Sequence, residues 1–225
     1  MTAPADIEGW LTDAQAQRLR ERAAAVPPGG RIVEIGSFRG RSAVVLAQAA
    51  PPEAEVVCID PHLGSDRGPQ EIAADHARGQ QDYDAFHANL ARHGVAGRVR
   101  HVRALSQEAL DAVDGPIDLL YIDGAHRYRP ASADIVRWGA RVRPAGAMLV
   151  HDAFSSIGVT AALLRHAALG PWDYRGRSGS LAEYRRAPGG LVSAARQLAQ
   201  LPWFVRNLVL KVLIVARLRR GPWPY

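Results

Sequence analysis

Between residues 31 and 152, short apolar runs rich in β-branched residues alternate with stretches whose apolar positions recur every three to four residues. These are the two periods of strand and helix. Strands are expected at 31–35, 55–59, 98–103, 117–122 and 147–150, and the run at 117–122 is apolar nearly throughout, as a parallel strand covered on both faces must be. Helices are expected over 10–26, 41–49, 82–93, 130–141 and 157–168, and their punctuation agrees. Thr12 or Asp13 suits an N-cap, Pro27-Pro28-Gly29-Gly30 and Pro51-Pro52 end helices, and Pro130 suits a first turn. Pro144-Ala145-Gly146 turns the chain into the last parallel strand. The polar stretch 61–81, interrupted by Gly and Pro, predicts a loop or lid. Residues 172–175 and 180–185, separated by Gly176 to Gly179, predict a hairpin at the sheet edge. The whole predicts an α/β fold: a doubly wound, mostly parallel, Rossmann-like sheet with helices on both faces and an antiparallel edge hairpin.

The pattern changes near residue 189. A helix over 203–218 would be apolar nearly all round, with Arg206, Asn207, Lys211 and Arg217 giving only a partial polar strip. We therefore divide the chain into a domain at 1–188 and a basic, hydrophobic helical tail at 189–225. Charge follows the same division. The net charge is +6, and the tail carries six basic residues (Arg196, Arg206, Lys211, Arg217, Arg219, Arg220) and no acid. The excess behind the pI of about 10.1 thus belongs to the tail, which argues against nucleic acid as the domain's partner. A helix of this kind is expected to pack on the domain, to join a second subunit in a homodimer, or to lie on a membrane with its arginines on anionic headgroups. No run is expected to approach the roughly 20 apolar residues of a membrane span. The start of the chain lacks the basic and apolar segments of a signal peptide. The single Cys58, inside an apolar strand, reads as core in a reducing compartment. Cytoplasmic action follows, at the inner face of a membrane if the tail lies on one.

Candidate chemistry collects at strand ends. The first strand closes on Glu34 and is followed by Gly36 and Gly40, then a helix. A glycine turn of this kind brings a ligand close to backbone N–H groups at a helix N-terminus. No third glycine completes the dinucleotide pattern, and Glu34 suits a cationic ligand better than a pyrophosphate. Asp60, ending the second strand 24 positions after Gly36, is placed to accept from two ribose hydroxyls. Ser106 with Gln107, Asp123 with His126, and His151 with Asp152 stand at the ends of the remaining parallel strands. Ligands of such sheets lie beyond those ends.

The stretch Val33-Glu34-Ile35-Gly36-Ser37-Phe38-Arg39-Gly40-Arg41-Ser42 resembles the first motif of class I S-adenosylmethionine-dependent methyltransferases of the catechol O-methyltransferase type. Ser106-Gln107 is similar to that family's adenine-contacting pair. Ile122-Asp123-Gly124-Ala125-His126-Arg127-Tyr128, with Pro144-Ala145-Gly146 and His151-Asp152, resembles a bacterial branch of small O-methyltransferases that modify sugars and antibiotics. The resemblance covers roughly residues 9–187. It implies that Glu34, Gly36, Ser37, Phe38, Gly40 and Ser42 hold the methionine part of S-adenosylmethionine, Asp60 the ribose, and Ser106 with Gln107 the adenine, with Asp123 beside the donor. It further implies that Asp123, His151 and Asp152 ligate a divalent metal such as Mg²⁺ or Mn²⁺, and that His126 is the general base. His151 departs from the all-oxygen pattern, which favours a softer ion than Mg²⁺. The implied acceptor is a hydroxyl of a small molecule or glycan.

Plainer roles compete. Asp123 suits a cap, His126 a loop histidine, and His151-Asp152 a turn before the helix at 157; Asp118 and Trp138 read as structural. His62, His76, His87, His93, His101 and His166 lack mutual ligand spacing and read as solvated or locally satisfied. A nicotinamide-dependent oxidoreductase and a non-catalytic, membrane-associated binding module are the alternative functions. No Asn/Asp-Pro-Pro-aromatic segment follows the fourth strand, which counts against methylation of amines.

Overall fold

A computed structural model of the chain describes residues 3–65 and 73–218. Seven strands make one sheet: β1 (Arg31–Ile35), β2 (Glu55–Ile59), β3 (Val99–Val102), β4 (Ile117–Ile122), β5 (Val142–Val150), β6 (Trp172–Ser178) and β7 (Leu181–Arg186). Their order is β3-β2-β1-β4-β5-β7-β6. The first five run parallel, and β7 and β6 add an antiparallel hairpin whose outer strand is the edge. The helices are α1 (Asp13–Ala24), α2 (Arg41–Ala49), α3 (His76–Arg92), α4 (Tyr128–Arg137), α5 (Ile157–His166), α6 (Gly190–Leu198) and α7 (Leu201–Val215).

Alternate strand residues enter two separate cores. Ile32, Val56, Cys58, Leu119, Tyr121 and Leu149 meet α1, α2 and α3 through Leu19, Val44, Leu46 and Phe86. Val33, Val57, Leu120, Met148 and Val150 meet α4 and α5 through Ile135, Val159 and Leu163, with Trp138 beside them. Covering on both faces is why the strands read as continuous apolar runs. Asp118 has the structural role expected of it, accepting from the Arg31 backbone N–H at 2.7 Å and pairing with Arg143.

The winding reverses between β1 and β4, so the loops after these strands part and leave a crevice. Register sets what faces it. Ile35 lies opposite both Ile59 and Ile122, and Ile122 lies opposite Val150. The residues that follow, Gly36, Asp60, Asp123 and His151, therefore emerge side by side.

Several elements differ from the sequence expectation. Helix α3 starts at His76, so residues 76–81 are helical and not loop. Asp75 caps it by accepting from the Arg78 N–H at 3.1 Å. Gly79, which reads as a breaker, lies so close to the 62–64 segment that a Cβ there would stand 2.1 Å from the His62 carbonyl oxygen. The remaining part of the expected lid, 66–72, lies outside the described residues. Strand β5 begins at Val142 because Pro144-Ala145-Gly146 is absorbed as an irregularity, with Ala145 at φ +63°. The tail breaks at Ala199–Gln200 into two helices in place of one over 203–218. The expectation that no run is long and apolar enough for a membrane span is overturned. The helical stretch Gly190–Val215 spans 26 residues with a mean hydropathy of 1.5 in its most apolar window, of which 6% is buried, and by length and composition it passes that test.

Candidate active site

The crevice is a cavity of about 440 Å³ lined by the ends of β1, β2, β4 and β5, by the turn at 36–38 and by the N-terminal segment at 8–11. At one end stands the glycine turn. Gly36 takes φ +84°, and a Cβ there would lie 2.2 Å from the Asp123 carbonyl oxygen, so the β1 turn runs directly against the exit of β4. Asp60 holds the turn in place. One carboxylate oxygen accepts from the N–H groups of Ser37 and Phe38, both at 2.8 Å, and the other from the His62 N–H at 2.7 Å. Charge-assisted bonds of this kind are about twice as strong as neutral ones, and they let Phe38 sit at φ +47°. Trp10 packs against Phe38 with ring centroids 5.5 Å apart, closing the cavity from the N-terminal side.

Of the residues implied to hold a donor, Gly36, Ser37, Phe38, Ser42, Asp60, Ser106, Gln107 and Asp123 line the cavity. Glu34 and Gly40 are not among the residues lining it and stand behind the turn. Gly40 is the left-handed N-cap of α2, where a Cβ would meet Phe86 at 3.1 Å. Glu34 is fully buried behind the turn and accepts a short hydrogen bond from the Ser42 hydroxyl. Burial raises its carboxyl from 4.5 to about 7, against the opposing bonds from Ser42, Cys58 and Ser37. An acid held above its unfolded value contributes stability that is full below about pH 4.5 and is lost as pH rises through about 7. Glu34→Gln, which keeps the shape without ionising, is expected to flatten the pH dependence of urea-unfolding stability between pH 5 and 7.5 by on the order of 2 kcal/mol. A slope equal to the wild type's would contradict this origin.

At the other end the β4 and β5 exits converge. The buried Tyr121 hydroxyl donates to Asp123 at 2.9 Å. His126 Nε2 lies 3.0 Å from Asp152, while His151 Nδ1 lies 3.1 Å from Asp123 and 3.5 Å from Asp152. Burial disfavours charge on both imidazoles, but the carboxylates prevail and raise both pKa values, that of His151 strongly. For Asp152, burial is outweighed by the bond to His126 and the neighbouring His151, so its carboxyl is held well below the usual range. The backbone carrying these groups is held unusually. Asp152 and Phe154 take φ +54° and +56°, a conformation that costs ordinary residues energy. The tail braces this loop: buried Asn207 donates to the Phe154 carbonyl at 3.1 Å and Lys211 to the Ser155 carbonyl at 2.7 Å. The His126 carbonyl accepts from the Ser156 hydroxyl at 3.2 Å, and a Cβ at Gly158 would stand 2.3 Å from the same oxygen.

Two members of the metal set implied by sequence, Asp123 and Asp152, also group with His126. Among the described residues, the group whose donor atoms all lie within 4.8 Å of one another is Asp123, His126 and Asp152. His151 lines the same cavity, with Nδ1 3.1 Å from Asp123 and 3.5 Å from Asp152. Two carboxylates and an imidazole at that spacing fit one divalent ion with mixed nitrogen and oxygen preference.

Two further features were not read from sequence. Asp134 is buried on α4, lines the cavity, and accepts from Ser106 Oγ at 2.5 Å; burial raises its carboxyl to about 6. An acid inside the apolar stripe Ala131, Ile135, Trp138 was the available signal. His62 lines the cavity and is buried against His101, ring centroids 4.9 Å apart, with Tyr83 and Phe86 alongside. Burial lowers the pKa of both, that of His101 to about 4. Neither is solvated as expected, and among the described residues each leaves its Nε2 without a partner. His93, by contrast, contacts Asp6 at 3.0 Å and His166 contacts Ser132 at 2.7 Å, as expected.

A family profile described as "Methyltransferase domain" matches residues 33–153, from β1 to the loop after β5. The chain belongs to that methyltransferase family. Catechol O-methyltransferase of Mycobacterium tuberculosis is 31% identical over 123 residues, 54% of this chain and 47% of that protein. An uncharacterized protein, y4gI, of Sinorhizobium fredii is 29% identical over 149 residues, 64% of this chain and 14% of that protein. The chain thus spans less than half the length of either curated relative. Among solved structures, the O-methyltransferase NovP shares the fold with a TM-score of 0.62 at 16% identity, over 78% of this chain and 81% of that one. The O-methyltransferase TomG of Streptomyces achromogenes, in complex with S-adenosylmethionine, shares it with a TM-score of 0.53 at 21% identity, over 82% and 83%. Membership in a methyltransferase family, together with the missing third glycine at the β1 turn, rules against the nicotinamide oxidoreductase.

Proposed function

We propose that the chain is an S-adenosylmethionine-dependent O-methyltransferase acting on a hydroxyl of a small molecule or glycan, with a divalent metal assisting. One observation carries the reading: a single cavity has a carboxylate-clamped glycine turn at one end and the Asp123, His126 and Asp152 cluster at the other. S-adenosylmethionine supplies an electrophilic methyl group on a sulfonium. Gly36, Ser37, Phe38 and Ser42 would line its methionine part, with Glu34 and Gly40 shaping the turn from behind. Asp60 would face the ribose, and Ser106 with Gln107 the adenine. A divalent ion held by Asp123, Asp152 and His151 would lower the pKa of the acceptor hydroxyl, with His126 left free for the proton.

His126 is the proposed base. Its Nε2 is oriented by Asp152, which leaves Nδ1 for the acceptor. Bound S-adenosylmethionine would supply the methyl group and leave as S-adenosylhomocysteine, while His126 would take the acceptor's hydroxyl proton. Asp152 stabilises the resulting imidazolium. Walls that held acceptor and donor in line would supply much of the rate advantage of a two-substrate displacement.

The proposal keeps the division into a domain at 1–188 and a basic tail, and sites its action in the cytoplasm. The test is transfer of a labelled methyl group to a panel of phenols, catechols and sugars, with and without chelator. Transfer to at least one hydroxyl acceptor is expected, reduced tenfold or more by chelation and restored by Mn²⁺ or Mg²⁺. Transfer indifferent to chelation would remove the metal, and transfer to none of them would remove the acceptor class.

A further inference from the structure

Helix α7 has two unlike faces. The inner one is fixed to the domain: Asn207 is fully buried against the Phe154 carbonyl, Lys211 reaches Ser155, and Arg177 lies 3.8 Å over the ring of Trp203. The outer one carries Val205, Val209 and Val212, between 52% and 65% exposed, with exposed Ala216 continuing the row. These positions stand at i, i+4, i+7 and i+11, a single stripe. Arg206 and Arg217 flank it on one side and are exposed. Helix α6 separately exposes Leu191, Val192 and Leu198, between 49% and 81%, beside exposed Arg196.

The geometry points to this outer surface as a docking face for an anionic lipid bilayer, with α7 lying flat in the headgroup region. Charge selects that occupant. From residue 189 onward the chain has six basic residues and no acid, so a two-fold interface formed by this patch on itself would oppose like charges with none to neutralise them. Anionic headgroups supply the missing sign, and the valines enter the acyl boundary. A crossing orientation is disfavoured although the stretch is long enough. It would tear Asn207 and Lys211 from the loop that carries His151 and Asp152, and place Arg206 and Lys211 in hydrocarbon.

Co-sedimentation of the full-length chain with vesicles tests this without methyl donor, so its outcome is independent of the methyl-transfer reading. Vesicles of phosphatidylglycerol and phosphatidylcholine are expected to pellet the protein at 0.1 M salt, at least tenfold more than phosphatidylcholine alone, with release at 0.5 M salt. Val205→Glu/Val209→Glu should lose at least tenfold of that binding, and Arg206→Glu/Arg217→Glu, which leaves the stripe intact, should lose most of it. All four positions are exposed, so the variants should keep the wild-type melting temperature. Pelleting that ignores lipid charge or these substitutions overturns the inference. So does protein that resists both high salt and alkaline extraction, as a spanning helix would. A stable dimer in light scattering that Val205→Glu/Val209→Glu converts to monomer also overturns it, in favour of a second copy.

Discussion

Replacing His126 by alanine is expected to lower methyl-transfer turnover by 10²- to 10⁴-fold while leaving donor affinity within about twofold. The separation of the two effects follows from the site's layout. His126 stands with Asp152 at the β4–β5 end of the cavity, whereas the turn, Asp60 and the Ser106–Asp134 pair lie at the ends of β1, β2 and β3. His126 contacts none of the latter, so its loss removes a proton acceptor without disturbing the donor's walls. His126→Gln keeps a hydrogen-bonding group of similar reach but cannot take a proton, and it should be as inactive as alanine. Single-turnover rates and equilibrium titration of the same preparations check the split. Turnover within threefold of wild type in either variant would remove His126 from the chemistry.

Gly36→Ala should be severely damaging to both stability and donor binding. Its added Cβ meets the Asp123 carbonyl oxygen at 2.2 Å and the Gly124 nitrogen at 2.9 Å, all backbone atoms that no side-chain rotation relieves. Its φ of +84° adds a left-handed conformation that costs a Cβ-bearing residue about 1–2 kcal/mol. Either the β1 turn moves off the exit of β4 or the strands separate. We expect at least about 3 kcal/mol of destabilisation, with donor binding lost even in the fraction that folds, because the displaced segment is the cavity floor. Urea unfolding and donor titration measure the two effects. Gly29→Ala is the control: it also has positive φ, but a Cβ there has nothing within 4 Å, so it should cost only the conformational penalty and leave donor binding intact.

The parallel sheet was legible because burial on both faces leaves little choice of residue. Each of β1, β2 and β4 was readable to within a residue, and the acids just beyond them were readable as a row because the strands end in register. What the sequence concealed depends on contacts between distant segments. Gly79 looks like a breaker until the chain at 62–64 lies against it, and Ala145 looks like a turn until β4 accepts the irregular register. How His126 and His151 share Asp123 and Asp152 was hidden for a related reason: the four come together only where the β4 and β5 exits meet. Glu34 was legible as an acid at a strand end but not as a buried one, since its partner Ser42 comes from the next helix. The tail's apolar face was plain. Its inner anchors, Asn207 and Lys211, were visible only as interruptions of that face, with nothing to say they grip the loop after β5.

The central claim is that the clamped turn and the carboxylate–imidazole cluster serve one adenosyl sulfonium. Calorimetric titration of S-adenosylmethionine into the wild-type chain, Asp60→Ala and His126→Ala tests it most directly. The account predicts one saturable site in the wild type, at least tenfold weaker in Asp60→Ala and unchanged in His126→Ala. No binding to the folded wild type, or equal affinity in Asp60→Ala, would contradict it.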